Sequence, residues 1–78
     1  MSVTDGGFSP NTLVVPRGTF VVWSNDGAAH HTVTDEGYLF DSGSLAVGQL
    51  FTFTFIQPGT YHYHCGWFPN LRGTVIVQ

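Results

Sequence analysis

The residues of this chain that could bind a metal ion are one cysteine and four histidines. Two histidines and the cysteine lie in residues 61–65, YHYHC, and the other two histidines are the neighbours His30 and His31. Thiolate and imidazole are common protein ligands for zinc and copper. A single cysteine cannot form a disulfide within the chain, so Cys65 is either a free thiol or a ligand. Whether these side chains form a site depends on which of them face the same side.

Alternation along residues 61–65 separates the cysteine from the histidines beside it. Successive side chains of a β-strand point to opposite faces. The aromatic pair Tyr61 and Tyr63 marks the face that turns inward. Cys65 is therefore expected to point inward, and His62 and His64 are expected to point outward.

The same alternation divides the residues around the other two histidines. His31 and Val33 are expected inside, and His30 and Thr32 outside. The sequence therefore predicts one thiol and one imidazole in the interior, and three imidazoles that face solvent.

The elements that must position these residues are β-strands. Period-two alternation is strong, most clearly in residues 51–55, FTFTF, where three aromatic rings fall on one face and two hydroxyls on the other. Helical periodicity is absent, and turn signals at 25–27 and 58–59 separate the runs. Seven or so short strands with regular turns predict an all-β sandwich or barrel in one domain, residues 1–78. The predicted strands are 12–15, 19–23, 31–34, 51–55, 61–65 and 73–77, with a short edge segment at 38–42.

Composition limits the partners of this domain. A chain of this size buries only about 60% of its unfolded surface, and its 42% hydrophobic content is adequate for one small core. The net charge is -3, and only Arg17 and Arg72 carry a permanent positive charge. This argues against binding to nucleic acid or to anionic membranes. No apolar run approaches the roughly 20 residues that span a bilayer. The chain begins without a signal-peptide pattern, which we interpret as a mature form or a domain cut from a longer protein.

Five segments of the chain, in their order and spacing, resemble a known family. They are residues 8–10 (FSP), 18–25 (ending in WSN), 31–34 (HTVT), 51–55, and 59–73, which runs from GTY through the cysteine to a glycine. Together they are similar to the cupredoxins, blue copper proteins with a type 1 site, and most similar to the short-loop plastocyanin and amicyanin group. The resemblance implies an eight-stranded Greek-key β-sandwich, a copper cofactor, electron transfer as the function, and a periplasmic or extracellular location. It also implies that a redox partner protein docks at the end that carries Trp67 and Phe68.

The resemblance also assigns ligand positions. Members of this family hold copper with a histidine that opens one strand and a cysteine that ends another. A second histidine follows three residues after the cysteine, and a weak axial methionine three residues later. His31 matches the first histidine and Cys65 the cysteine. Phe68 stands at the second histidine position and Leu71 at the methionine position, although the residues around them match the frame.

The residues at these two positions, Phe68 and Leu71, are expected to preserve the packing but cannot bind a metal. Leucine nearly conserves the volume of methionine, and phenylalanine keeps a flat ring without the imidazole nitrogens. Such a pair is expected from a redesign, or from a lineage that kept the scaffold and lost the site. The resemblance then implies an altered type 1 centre with His31 and Cys65 as retained ligands. The third ligand would be His30 or His64, if the backbone bulges there, or an outside molecule.

A second interpretation places the metal on the outer face. In the family, the strand opened by the ligand histidine lies antiparallel to the strand ended by the cysteine, so His30 is expected across from His64, with His62 two residues further along. Opposed residues lie about 4.5–5.5 Å apart at Cβ. Three imidazoles at that spacing could hold zinc or Cu(II) with water at an open position. A zinc ion there would acidify its water and could support ester hydrolysis.

A third interpretation is a metal-free interaction domain that uses Trp67 and Phe68 as an apolar contact patch. Beyond the histidine cluster, the sequence shows no Ser/His/Asp set, phosphate-binding glycine loop or carboxylate pair. Metal binding or electron transfer is therefore favoured over catalysis.

Overall fold

The architecture is two β-sheets that pack face to face. The computed structural model describes all 78 residues. Its eight strands are β1 (Ser2–Thr4), β2 (Gly7–Ser9), β3 (Thr12–Val15), β4 (Thr19–Asn25), β5 (Thr34–Asp35), β6 (Leu50–Phe55), β7 (Gly59–His64) and β8 (Arg72–Val77). One sheet has the order β2-β1-β4-β6 and the other the order β3-β8-β7-β5. The predicted eight-stranded β-sandwich is confirmed. The structure contains no helix that is long and apolar enough to span a membrane.

The strand pairing brings three distant parts of the chain to one end of the sandwich. β1 runs parallel to β4, with Ser2 opposite Ser24 and Val3 opposite Asn25. The β1–β2 turn, which contains Asp5, therefore lies beside the loop that follows β4. β7 is central in its sheet, antiparallel to both β5 and β8. Its last residue, His64, leads directly into Cys65.

Aromatic rings fill the space between the sheets. Trp23 is fully buried, and the ring centroids of four other aromatic residues lie within 6.3 Å of its own. The three phenylalanines of β6 belong to this core or pack against it, while Thr52 and Thr54 are exposed. The alternation predicted for residues 51–55 is confirmed. The neighbours of Trp23 are Phe40, Phe51, Phe55 and Tyr63.

The predicted strand at 31–34 is largely wrong. His31 forms only an isolated bridge with Leu45, and the strand in this region is the short β5. The backbone N–H groups of His31 and Leu45 each donate to the carbonyl of the other residue, at 3.1 and 2.7 Å. The Val33 N–H donates to the Ser42 hydroxyl at 2.7 Å. Loop 42–45 therefore takes the hydrogen bonds that a strand partner would have taken.

Two further expectations about local structure are corrected. The segment 38–42 is not a regular strand: Tyr38 has a φ of 60°, outside the extended conformation, and only an isolated antiparallel bridge joins Asp41 to Thr34 at the edge of β5. Thr32 is buried rather than outside. Its hydroxyl accepts a hydrogen bond from the Gly66 N–H at 2.6 Å, so the loop after β7 covers it. The antiparallel pair β1 and β2 was not predicted from the sequence.

Candidate metal centre

The first component of the candidate site is Cys65, which directly follows β7. Its side chain is fully buried. The residues after it fold into a compact loop, 66–71, held by three backbone hydrogen bonds. The Cys65 N–H donates to the Leu71 carbonyl at 3.0 Å, Phe68 donates to Cys65 at 3.2 Å, and Leu71 donates to Phe68 at 2.8 Å. These bonds hold both ends of the loop against the backbone of Cys65 and so fix the position of the cysteine.

The second component is His31, which follows loop 26–30. Asn25, at the end of β4, is fully buried and its side-chain N–H groups donate to the carbonyls of Ala29 at 3.0 Å and Leu45 at 2.8 Å. These bonds connect the end of β4 to the loop before His31 and to Leu45, the residue that pairs with the His31 backbone. The imidazole is completely buried, as the sequence predicts for an inward-facing residue.

The two components meet in the interior. His31 Nδ1 lies 3.4 Å from Cys65 Sγ, and the Thr32 N–H donates to the same sulfur at 3.5 Å. On the other side of the ring, His31 Nε2 donates to Asp5 Oδ1 at 2.8 Å. Imidazole, thiol and carboxylate therefore form a continuous chain of contacts, of which only the first two groups were singled out from the sequence.

The electrostatics of the pair favour the metal-binding form of the cysteine. Burial by itself raises the pKa of Cys65, but the hydrogen bond from the Thr32 N–H, the contact with the His31 ring, and the backbone N–H groups of Trp67 and Phe68 hold the pKa below its ordinary value. Burial by itself lowers the pKa of His31, but Asp5 and the Cys65 sulfur favour the charged ring and raise the pKa above its ordinary value. The thiolate is the form of cysteine that binds metals.

The other two positions implied by the family pattern hold apolar side chains. The ring centroid of Phe68 lies 5.5 Å from that of His31, tilted by 50°. Leu71 is half-buried and packs against the core. Both side chains therefore line the space around the inner residues without adding a donor atom.

The outer histidines are not gathered into one site. His64 pairs with Thr34 on β5, so the predicted pairing of His30 with His64 is wrong. The reason is that β5 begins three residues after His31, which shifts the register. No group of three or more His, Cys, Asp or Glu side chains is arranged to hold a metal ion.

Each outer histidine has its own surroundings. His30 Nδ1 lies 3.2 Å from the Ser44 hydroxyl, and its ring is 6.2 Å from that of Trp67. His62 Nδ1 lies 3.2 Å from the Thr74 hydroxyl. His30 and His62 are exposed and His64 is half-buried. The predicted sidedness is thus confirmed for Cys65, His31, His30 and His62, whereas His64 is only partly exposed and the predicted meeting of the outer three is wrong.

Comparisons with known proteins extend this picture. The sequence model of the family described as cupredoxin-like domain matches residues 1–77. This chain belongs to the cupredoxin family. Amicyanin of Paracoccus denitrificans is 34% identical to this cupredoxin over 71 residues, which are 85% of this chain and 54% of the relative. The chain therefore spans about half the length of that relative.

Solved structures of similar proteins have nearly the same fold. A novel purple cupredoxin from Nitrosopumilus maritimus superimposes with a TM-score of 0.89 at 34% identity, covering 95% of this chain and 84% of the other. A Cu(I) structure of an amicyanin variant in which alanine replaces a methionine also has a TM-score of 0.89. Its identity is 30%, and the match covers 100% of this chain and 81% of that one.

The donor atoms present fit a copper ion in kind and in placement. Nitrogen and sulfur ligands lie about 2.0–2.3 Å from a first-row metal ion, so two ligands of one ion are separated by roughly 3.3–3.8 Å. The 3.4 Å between His31 Nδ1 and Cys65 Sγ agrees with that range. The set is nevertheless incomplete for a blue site, which has two imidazoles and one thiolate in its plane. His31 and Cys65 supply two of those three donors.

Proposed function

We propose that this cupredoxin is a copper protein of the electron-transfer type whose centre is altered, with His31 and Cys65 as its protein ligands. The observation that carries the proposal is the convergence of a buried imidazole nitrogen and a buried sulfur at 3.4 Å. Bound copper would supply one-electron exchange between Cu(I) and Cu(II), with the thiolate tuning the potential. The chain's own contribution is to hold the two donors, to exclude water with the Phe68 ring, and to stabilise the thiolate.

The third donor is proposed to come from an outside molecule. His64 lies on the opposite side of its strand from Cys65, and the exposed His30 is engaged with Ser44 and Trp67. Without a third donor, the set is a soft thiolate with one imidazole. Thiolate ligands select Cu(I), so the protein alone is expected to hold Cu(I) more firmly than Cu(II).

The test is copper binding to the metal-free protein with a matched pair of variants. One equivalent of Cu(I) is expected to bind in competition with a chromophoric chelator, and Cu(II) with a small external ligand is expected to give a visible thiolate band. Both are expected to disappear in Cys65→Ser and to persist in His62→Ala, which removes an exposed imidazole from β7, the strand that leads into Cys65. Equal copper binding by the wild type and Cys65→Ser would contradict the proposal, as would a wild type that binds no copper.

The proposed partner is a redox protein that docks at the end carrying Trp67 and Phe68. These side chains are 54% and 43% exposed, and they lie over His30 and His31 respectively. The proposed location is periplasmic or extracellular, as the resemblance implies, and residues 1–78 are proposed to act as one domain. Cell fractionation of the native host would test the location. If the protein binds no copper, the exposed pair supports a metal-free interaction domain instead.

A further inference from the structure

The Asp5 carboxylate has a contact that the copper proposal does not use. Asp5 Oδ1 lies 2.8 Å from His31 Nε2, on the side of the ring opposite the Cys65 sulfur. A carboxylate accepts hydrogen bonds and does not donate them, so Nε2 must carry the proton. Neutral imidazole has one N–H and one lone pair. The lone pair is then on Nδ1, the atom that faces the sulfur.

We propose that Asp5 is the positioning residue of the metal centre: its carboxylate holds His31 in the Nε2–H tautomer and keeps the Nδ1 lone pair directed at Cys65. Metal-bound histidines commonly donate their second N–H to a carboxylate, which sets ring orientation and tautomer. Asp5 contributes to the centre without touching the metal.

The fold places Asp5 by pairing the amino-terminal hairpin with β4. The parallel pairing of β1 with β4 continues into a hydrogen bond from the Asp26 N–H to the Val3 carbonyl at 2.8 Å. The Asp5 carboxylate then accepts the backbone N–H groups of Ala28 and Ala29, each at 3.2 Å. One side chain therefore fixes both the loop that leads to His31 and the ring itself.

The absence of a side chain at Gly27 allows the Asp5 carboxylate to approach the His31 ring. A Cβ atom at Gly27 would stand 2.5 Å from Asp5 Oδ1 and 3.2 Å from His31 Nε2. Contacts at the first of these distances essentially do not occur in folded proteins, so a residue with a side chain would displace Asp5 from the ring. Gly27 and Asp5 therefore act together, although neither carries a metal-binding atom in the proposed site.

The carboxylate is also placed where it can stay charged. The Asp5 side chain is 52% exposed, while the His31 ring is completely buried. Two backbone N–H groups donate to the carboxylate, and the His31 imidazole donates to it as well. Hydrogen bonding from His31 holds the pKa of Asp5 below its ordinary value, which keeps the acceptor present at neutral pH.

The tautomer can be measured directly in the metal-free protein. Long-range proton–nitrogen NMR spectra of histidine-labelled protein, recorded at increasing pH until the His31 ring has become neutral, are expected to show the Nε2–H form for His31. Asp5→Ala and Gly27→Ala are each expected to lose the dominance of that form. Asp5→Asn is expected to retain it, because the amide oxygen still accepts from Nε2. The control is Asp26→Ala, which removes a neighbouring carboxylate that bonds only Ser2 and Ser24.

Copper affinity provides the second measurement, and this part of the inference rests on the proposed function. Asp5→Ala is expected to weaken Cu(I) binding by about 10–100-fold, with substantial recovery in Asp5→Asn and no change in Asp26→Ala. A neutral wild-type ring that carries its proton on Nδ1 would overturn the inference. So would an Asp5→Ala protein with the wild-type tautomer, or an Asp26→Ala protein with the same loss. If the wild type binds no Cu(I) while the tautomer behaves as expected, the proposed function fails and the role of Asp5 in holding the ring stands.

Discussion

The inner pair, His31 and Cys65, and the outer histidines, His30, His62 and His64, carry similar metal-binding groups in different surroundings. The inner pair is completely buried, its donor atoms are 3.4 Å apart, and a carboxylate orients the imidazole. Among the outer histidines, His30 and His62 contact hydroxyl groups on different parts of the surface. The difference shows that three imidazoles in a chain of 78 residues do not by themselves make a site. Convergence of the donor atoms and control of their protonation distinguish the inner pair.

The strongest test of this comparison adds one imidazole to each region. Phe68→His restores a nitrogen donor beside the inner pair, and Thr74→His adds an imidazole beside His62 on the neighbouring strand. We expect Phe68→His to raise Cu(II) affinity at least about tenfold, equal to about 1.4 kcal/mol of binding free energy, because it completes the donors of a blue site. It should also produce a visible thiolate band without any external ligand.

Thr74→His is expected to give no thiolate band, since the added ring lies on the outer face away from the sulfur. Copper titration followed by absorption would measure both effects. A thiolate band of similar strength in both variants, or no such band in Phe68→His, would show that His31 and Cys65 do not form a more favourable copper site than the outer histidines.

The next effect concerns the packing beneath the centre. A Cβ atom at Gly73 would collide with the ring of Tyr63, which is completely buried two residues before Cys65. We expect Gly73→Ala to lower the free energy of unfolding by about 1–3 kcal/mol, the usual cost of overpacking a core. Gly6→Ala is the control, because the nearest atom to its added Cβ would be 3.8 Å away. Urea denaturation would measure both variants, and equal stabilities would mean that Tyr63 can move aside.

A smaller effect is expected from the axial position. Leu71→Met replaces one half-buried apolar side chain with another of similar size, so the free energy of unfolding should change by less than about 1.5 kcal/mol. The new thioether is a soft donor and should stabilise Cu(I) in the loaded protein. Leu13→Met, in a half-buried position of β3, controls for the packing change alone. A rise in Cu(I) affinity that appears in both variants would rule out the thioether as its cause.

The smallest effect is expected from a comparison of two carboxylates near the centre, Asp5 and Asp26. Asp5 reaches the inner imidazole, whereas Asp26 accepts hydrogen bonds from the Ser2 and Ser24 hydroxyls, which hold its pKa below the ordinary value. Because the folded pKa of Asp26 lies below the unfolded one, its contribution to stability is present above about pH 4. It is lost as the pH falls through the folded value.

Asp26→Asn should therefore lower the unfolding midpoint slightly at neutral pH, and the difference from the wild type should disappear at low pH, where Asp26 is itself protonated. Denaturation curves at neutral and acidic pH would measure it. A difference of the same size at both pH values would mean that the charge of Asp26 is not its cause.

Local patterns predicted well those elements whose partners lie in regular strands. Residues 12–15 form β3 with the predicted bounds, and residues 51–55 alternate between core and solvent as expected. The inward orientation of Cys65 followed from the same alternation. These predictions succeeded because side chains of an extended chain alternate wherever one face is buried.

Local patterns failed where the backbone partner is an irregular loop. The His31 backbone pairs with Leu45 and Val33 bonds Ser42, and nothing in the residues 31–34 indicates these partners. The short β5 that results places Thr34, not His30, opposite His64. Asp5 was missed for a related reason: its DG turn signals a reversal of the chain but does not show which distant side chain its carboxylate contacts.

The sequence by itself determined an all-β chain and a buried thiol, because the spacing of apolar residues sets which side of each strand leaves water. Its resemblance to the cupredoxins also identified the imidazole that meets the sulfur and the two positions, Phe68 and Leu71, where this chain departs from the family pattern. Only the tertiary structure decided that Asp5 holds the ring of His31 and that the outer histidines stay apart. Those outcomes depend on hydrogen bonds between segments more than ten residues apart, which no local pattern encodes.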